Sequence, residues 1–104
     1  MIPEDFAEKI TFNRTWDLLS HRWKFYVVYL LGERPLRFGE LRRLCAAVSR
    51  VTLTGYLRQL EQEGFISCRK LSEPALFAEY ALTDLGRSAL PLVRQLIAWG
   101  DEAD

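Results

Sequence analysis

Residues 49–64, which read SRVTLTGYLRQLEQEG, decide the fold of this chain. Both ends of this stretch carry helix signals. The Ser49 hydroxyl can accept a hydrogen bond from an amide of the first turn, and Gly64 can adopt the left-handed conformation that stops a helix. Leu53, Leu57 and Leu60 recur at the spacing of one helical face. The stretch therefore predicts one amphipathic helix over residues 49–63.

The face of this helix opposite the leucines is made of small, hydroxylic and long polar side chains with one arginine. Its members are Val51, Thr54, Gly55, Arg58, Gln59 and Gln62. A helix that packs on one side and presents small and basic groups on the other suits the major groove of DNA. Taken alone, the stretch fits an ordinary amphipathic core helix equally well. The flanking residues distinguish between a core helix and a helix that contacts DNA.

The residues before this helix predict a short strand and a second helix. Leu36-Arg37-Phe38 is brief and extended, and a short helix is predicted from Gly39 to about Ala46, with Phe38, Leu41 and Leu44 facing inward. Only a few residues connect it to Ser49. Two helices joined by so short a turn, the second with a polar outer face, form a helix-turn-helix arrangement.

The residues after this helix predict a β-hairpin and a last helix. Strands are expected at residues 65–71 and 78–82, separated by a loop that contains Pro74. A hairpin directly after such a helix is a wing. Thr83 is placed to cap the final helix, with Asp84 favourable in its first turn. The fold class is therefore mainly α with a small β wing (α+β), a winged helix-turn-helix.

The amino-terminal residues predict a short helix that cannot be stable alone. Pro3-Glu4-Asp5 marks its start and Phe6 and Ile10 form one apolar stripe, so it must dock on the domain or on a second subunit. Ser20 is then placed to cap a stronger helix over residues 21–31. We expect one domain over residues 1–104, made of an amino-terminal arm (1–13), a winged-helix core (14–83) and a carboxy-terminal helix (84–104).

Charge is distributed unevenly along the chain, although the net charge is zero. Residues 14–70 contain 11 basic and 5 acidic side chains, whereas the first 13 residues carry a net −2 and the last 34 a net −4. A basic middle with acidic flanks is typical of a surface that contacts phosphates, and double-stranded DNA is the expected partner. The alternative is a solvated charged face.

Several other classes of protein are not favoured by the composition. No run approaches the ~18 apolar residues of a membrane span, and the two cysteines lack metal-site or disulfide-framework spacing, so we expect a cytoplasmic protein without a membrane, metal or cofactor. His21 is the only histidine and is predicted at the surface, so an enzyme is not expected. Arg42 and Arg43 could lower the pKa of the Cys45 thiol, but a buried, inert cysteine is favoured.

A set of short motifs along residues 16–100 resembles the HxlR family of bacterial and archaeal winged-helix transcriptional regulators. The motifs occur in the family's order: Asp17-Leu18-Leu19, Arg22-Trp23, Arg37-Phe38, Glu40-Leu41, Ser49, Thr52-Leu53-Thr54, Leu57-Arg58-Gln59-Leu60-Glu61, Gly64, Glu79-Tyr80-Ala81-Leu82-Thr83, Leu85-Gly86 and Trp99-Gly100. Each motif is weak alone, but together and in this order they are specific.

The resemblance implies a homodimer that binds operator DNA, with the first and last helices at the subunit interface. The interface residues it implies are Phe6, Ile10, Leu90, Val93, Leu96, Ile97 and Trp99. Those implied at the major groove and its phosphates are Ser49, Arg50, Thr54 and Arg58. Backbone contacts are implied for Arg37, Arg42 and Arg43, and wing contacts for Arg69 and Lys70.

Three of the departures from the family pattern bear directly on function. The cysteine that family members usually carry before the first long helix is absent from residues 10–14, so a redox role for it is not carried over. Val51 and Gly55 stand where long polar side chains are usual, which leaves fewer groups able to read base edges and keeps non-specific, architectural DNA binding open. The apolar wing loop around Leu76 and Phe77 favours a packing surface or a site for a protein partner, with a wedge between base steps as the alternative.

Overall fold

Four helices and three short strands make up the part of the chain that the computed structural model describes, residues 21–70 and 78–103. Along the chain they are α1 (Arg22–Leu31), β1 (Leu36–Arg37), α2 (Phe38–Leu44), α3 (Arg50–Gln62), β2 (Ile66–Lys70), β3 (Ala78–Leu82) and α4 (Asp84–Ala103). None of these helices is long and apolar enough to cross a membrane. The amino-terminal helix with Phe6 and Ile10, the Ser20 cap and the wing loop with Leu76 and Phe77 lie outside the described residues.

Both predicted ends of α3 are confirmed. The Ser49 hydroxyl accepts a hydrogen bond from the amide of Thr52 at 3.1 Å. Gly64 has φ +87°, and its amide and that of Phe65 donate to the carbonyls of Glu61 and Leu60 at 3.1 and 3.0 Å. This paired pattern satisfies carbonyls that the end of a helix leaves without partners. The limits of α3 therefore follow from local hydrogen bonds.

Three details differ from the prediction. Helix α2 begins one residue early, at Phe38, and Leu44 at its end is 48% exposed instead of facing inward, since the helix stops at Leu44. His21 is half-buried, with its ring edge-on to Tyr56 at 4.5 Å between ring centroids, and it is not a surface group.

The three strands form one antiparallel sheet in the order β1-β3-β2. Within the predicted wing hairpin, Ile66 pairs with Leu82 and Lys70 with Ala78. Strand β1 adds to the other edge of β3 through Leu36 and Tyr80. The wing (β2 and β3) is thereby tied to the segment that leads into α2, because all three strands share one hydrogen-bonded ladder.

The core lies between α1, α3, α4 and the buried side chains at the base of the wing. Its least exposed large side chains are Leu41, Leu53, Leu57, Leu60, Ile66, Val27, Val28 and Val93. Within this apolar cluster Lys24 is only 4% exposed, and its Nζ lies 2.8 Å from a carboxylate oxygen of Glu63. This ion pair joins α1 to the residue that follows α3.

Thr83 holds the start of α4 against the end of α3. Its hydroxyl accepts a hydrogen bond from the amide of Gly86, as predicted for a cap, and donates one to the carbonyl of Gly64. Its amide donates to the carbonyl of Phe65 at 3.1 Å. Gly86 consequently lies so close to Phe65 that a Cβ atom at Gly86 would stand 2.1 Å from that carbonyl oxygen.

Candidate nucleic-acid interface

The outward face of α3 carries exposed side chains, and of the residues predicted on this helix for DNA contact Ser49, Arg50 and Arg58 are exposed while Thr54 is half-buried. Val51 is 82% exposed, and Arg58, Gln59 and Gln62 are also exposed. The opposite face is fixed in the core by Leu53, Leu57 and Leu60, so α3 cannot rotate without exposing those side chains. The outward face is therefore rigidly presented on one side of the domain.

Two hydroxyl groups predicted at the groove make hydrogen bonds within α3 itself. Ser49 caps the helix and also donates to the Thr52 hydroxyl at 2.8 Å. The Thr54 hydroxyl donates to the carbonyl of Arg50 at 2.8 Å. Each hydroxyl carries only one hydrogen, so neither Ser49 nor Thr54 has a donor left for a base or a phosphate while these bonds persist.

The start of α2 and the start of α3 lie side by side, and basic residues are found near both. The Arg50 guanidinium lies 5.8 Å from the centroid of the Phe38 ring, which joins the first residue of α3 to the first residue of α2. Arg37 immediately precedes Phe38 and is exposed, as is Arg43, while Arg42 is half-buried. The fold therefore connects one end of the Arg37–Arg43 segment to the start of α3.

The two basic residues of the wing differ in their surroundings. Arg69 forms an ion pair with Glu79 across the hairpin, with 3.0 Å between nitrogen and oxygen. Lys70 is exposed at the end of β2, where the described part of the hairpin stops. If a phosphate approached, Arg69 would interact with both Glu79 and that phosphate. Lys70 is exposed to solvent and could contact a phosphate directly.

Glu40 organises the segment that leads into α2. Its carboxylate pairs with Arg34 at 2.8 Å and accepts a hydrogen bond from the amide of Arg37 at 3.0 Å. The hydrogen bond from Arg34, followed by that from the Arg37 amide, lowers the pKa of Glu40 to about 2. Both contacts are therefore made by the ionised form of the Glu40 side chain.

We expect the Glu40 contacts to stabilise the fold above the pKa of an unfolded glutamate and to be lost as the pH falls towards 2. The sign follows from linkage, because a folded-state pKa below the unfolded value means that the unfolded chain binds the proton first. Urea unfolding measured from pH 6 to pH 2 should therefore show a smaller loss of stability in Glu40→Gln than in the unmodified protein. Identical pH profiles would contradict this role of Glu40.

Comparison with known proteins agrees with this geometry. The sequence model of the HxlR-like helix-turn-helix family matches residues 18–103. The chain belongs to the HxlR-like helix-turn-helix family. The resemblance seen in the sequence motifs is thereby confirmed.

Relatives within and near this family are named as transcriptional regulators. The HTH-type transcriptional regulator YdzF of Bacillus subtilis is 34% identical over 95 residues, which cover 90% of this chain and 87% of YdzF. The reduced form of the redox regulator HypR superposes with a TM-score of 0.80 at 33% identity, covering 85% of this chain and 87% of HypR. The reduced form of the transcriptional regulator YodB from B. subtilis gives 0.74 at 27% identity, covering 85% and 86%.

The surroundings of Cys45 in this HxlR-like protein do not favour a reactive thiol. Cys45 is fully buried, and burial raises the pKa of its thiol. The arginines at positions 42 and 43, considered as groups that could lower this pKa, do not reverse the effect of burial. Cys45 is therefore a packing residue, as favoured from the sequence.

The residues implied at an HxlR-type subunit interface differ widely in burial along α4. Leu90 and Val93 are 7% and 1% exposed and belong to the core of the subunit itself, so in this conformation they offer no area to a second subunit. Ile97 is half-buried and packs against that core. Leu96 and Trp99, at 39% and 66% exposure, lie on the outer surface.

Two further features of the fold were not predicted from the sequence. The Lys24–Glu63 ion pair is one, and its only sequence signal is a lysine in the apolar stripe of α1. The other is a cleft of about 520 Å³ between α1, Leu44 and Ile97, whose walls are mostly aromatic. Its described lining consists of Arg22, Trp23, Phe25, Tyr26, Tyr29, Leu44 and Ile97.

Proposed function

We propose that this HxlR-family protein is a transcriptional regulator that binds operator DNA as a homodimer, with α3 in the major groove. The observation that carries the proposal is the rigid outward face of α3, where Val51 and Arg58 project away from a core that fixes the helix. Arg37, Arg42, Arg43, Arg50, Arg69 and Lys70 supply the positive charge for the phosphates. Neutralising phosphates releases counterions and stabilises binding at any sequence.

The proposed dimer contact is a stripe of exposed apolar side chains on α4. Leu85, Leu92, Leu96 and Trp99 are separated by seven, four and three residues, a spacing that aligns them on one helical face. Leu92 is 61% and Trp99 66% exposed, and a contiguous exposed apolar stripe of this kind is typical of a protein–protein contact. A two-fold dimer would place its two α3 helices about 34 Å apart, one turn of DNA.

Selection of bound fragments from the source genome at about 0.15 M salt tests the proposal, because non-specific attraction is weakened there. Enrichment of a two-fold symmetric site near a promoter is the expected result. Binding without enrichment of any sequence would favour an architectural role. A complete absence of binding would contradict the proposal and direct attention to a protein partner.

We expect Arg58→Ala and Arg43→Ala to weaken DNA binding in different ways. Arg58 lies on the outward face of α3, so its loss should reduce operator binding by about 1–3 kcal/mol and affect random DNA less. Arg43 lies on α2, so its loss should weaken both DNAs alike and reduce the salt dependence of binding. Titrations of both variants against operator and random duplexes at several salt concentrations give the answer. Equal losses on both duplexes for both variants would contradict the division of roles.

A further inference from the structure

Val51 presents an apolar side chain to whatever contacts the outward face of α3. It is the second residue of α3 and is 82% exposed, on the face opposite Leu53, Leu57 and Leu60. A valine so exposed adds little to the core, and its β-branch slightly disfavours a helix. Its side chain is therefore available to a partner that contacts the outward face.

The hydroxyl groups of Ser49 and Thr54, on either side of Val51, already donate their single hydrogens within the protein. The Ser49 hydroxyl caps α3, the Thr54 hydroxyl donates to the Arg50 carbonyl, and the Arg50 guanidinium lies over the Phe38 ring. The amino-terminal turns of such a helix are the part that contacts base edges in helix-turn-helix proteins. Here those turns offer the bases an isopropyl group in place of a free hydroxyl donor from Ser49 or Thr54.

Gly55 allows this short side chain to reach the bases. It lies one turn after Val51 on the same face, and no described heavy atom stands within 4 Å of the place a Cβ atom would take. Without a side chain at this position, the backbone of α3 can lie deeper in the groove. A valine extends only two bonds beyond its Cα, so a close approach of the backbone is what brings it within contact of a base edge.

We propose that Val51 recognises the C5-methyl group of a thymine in each half of the operator. The thymine methyl is the apolar group that base pairs of unmodified DNA present in the major groove, and apolar side chains contact it. The contact distinguishes thymine from cytosine without a hydrogen bond. This inference rests on the proposed DNA-binding function.

Replacing thymine by deoxyuridine removes only the methyl group, so it isolates this contact. The probe is the duplex recovered by selection from a random library, synthesised with deoxyuridine at one symmetric pair of thymines at a time. At one of these symmetric pairs, the substitution should lower affinity. The expected loss is about fourfold for each half-site, which corresponds to one buried methyl group, and about fifteenfold for the dimer. The slope of affinity against salt should not change, because no phosphate contact is altered.

Two variants assign the effect to Val51. Val51→Ala should bind the thymine and deoxyuridine duplexes within about twofold of each other, since the methyl contact is lost in both. Gln62→Ala, a change on the same face in the last turn of α3, should keep the full preference for thymine. Thermal unfolding of both variants should match the unmodified protein, because both positions are exposed.

The outcomes separate this inference from the function on which it rests. Sequence-selective binding that is equal for every deoxyuridine duplex would overturn the thymine contact and leave the DNA-binding function standing. A thymine preference that survives in Val51→Ala would assign the methyl contact to another side chain and overturn the role of Val51. Failure of the protein to bind any duplex would overturn both.

Discussion

Replacing Gly86 with alanine is expected to lower the free energy of unfolding by about 3 kcal/mol, the upper end of the usual range for overpacking. The added Cβ atom would stand 2.1 Å from the carbonyl oxygen of Phe65 and 3.0 Å from Leu82. The nearer atom belongs to the backbone and is held by a hydrogen bond from Thr83, so it cannot move aside as a side chain would. Helix α4 would have to separate from the end of α3.

Gly55→Ala is the matched control for this prediction. Gly55 also lies inside a helix, but its added Cβ atom would meet no described atom within 4 Å. The same substitution should therefore raise the free energy of unfolding by about 0.5–1 kcal/mol through the better helix propensity of alanine. Urea unfolding followed by tryptophan fluorescence measures both variants. Gly86→Ala as stable as Gly55→Ala would show that the contact between α4 and Phe65 yields without loss.

Glu63→Gln should lower the free energy of unfolding by roughly 2–3 kcal/mol, because it leaves the buried ammonium of Lys24 without its charged partner. Removing one partner of a fully buried pair typically costs about 3–5 kcal/mol. The Glu63 side chain is 35% exposed, so water screens part of the interaction and the expected loss is smaller. The loss should appear as a shift of the urea midpoint with an unchanged slope.

Lys24→Met provides the contrast. Methionine keeps most of the length of the lysine side chain and has no charge to bury, while Glu63 can turn towards solvent. We expect this variant to lie within about 1 kcal/mol of the unmodified protein, and the double variant to be no less stable than Glu63→Gln alone. If Glu63→Gln and Lys24→Met lowered the free energy of unfolding equally, the stabilisation would come from the attraction between the two charges. It would then not reflect the cost of leaving the buried ammonium without a partner.

Some features of the surface that would contact DNA could be predicted from the sequence, and others were seen only in the structure. That Arg58 and Val51 would lie opposite the leucines of α3 follows from helical periodicity, and their exposure confirms it. That the Ser49 and Thr54 hydroxyls are engaged within the helix was not predicted, since either could have pointed to solvent. Under the proposed function, base recognition would depend less on these two hydroxyl groups and more on the apolar side chain of Val51, because the hydroxyl hydrogens are used within α3.

The sequence by itself determined the features whose causes lie within a few residues. Ser49, Gly64 and Thr83 mark helix ends through hydrogen bonds that span three to five positions, so their roles could be predicted without any knowledge of the fold. The family and the winged architecture followed from the order of such local features. Periodicity likewise separated the core face of α3 from its outer face.

The tertiary structure alone decided which distant groups meet. Lys24 and Glu63 are 39 positions apart, and the need for glycine at position 86 arises from a carbonyl 21 residues earlier. On α4, Leu90 lies in the core while Leu92 lies outside, because α1 and the wing pack against only one side of a helix that carries leucines on both. Burial depends on what packs against a residue, and a sequence pattern records only the neighbours along the chain.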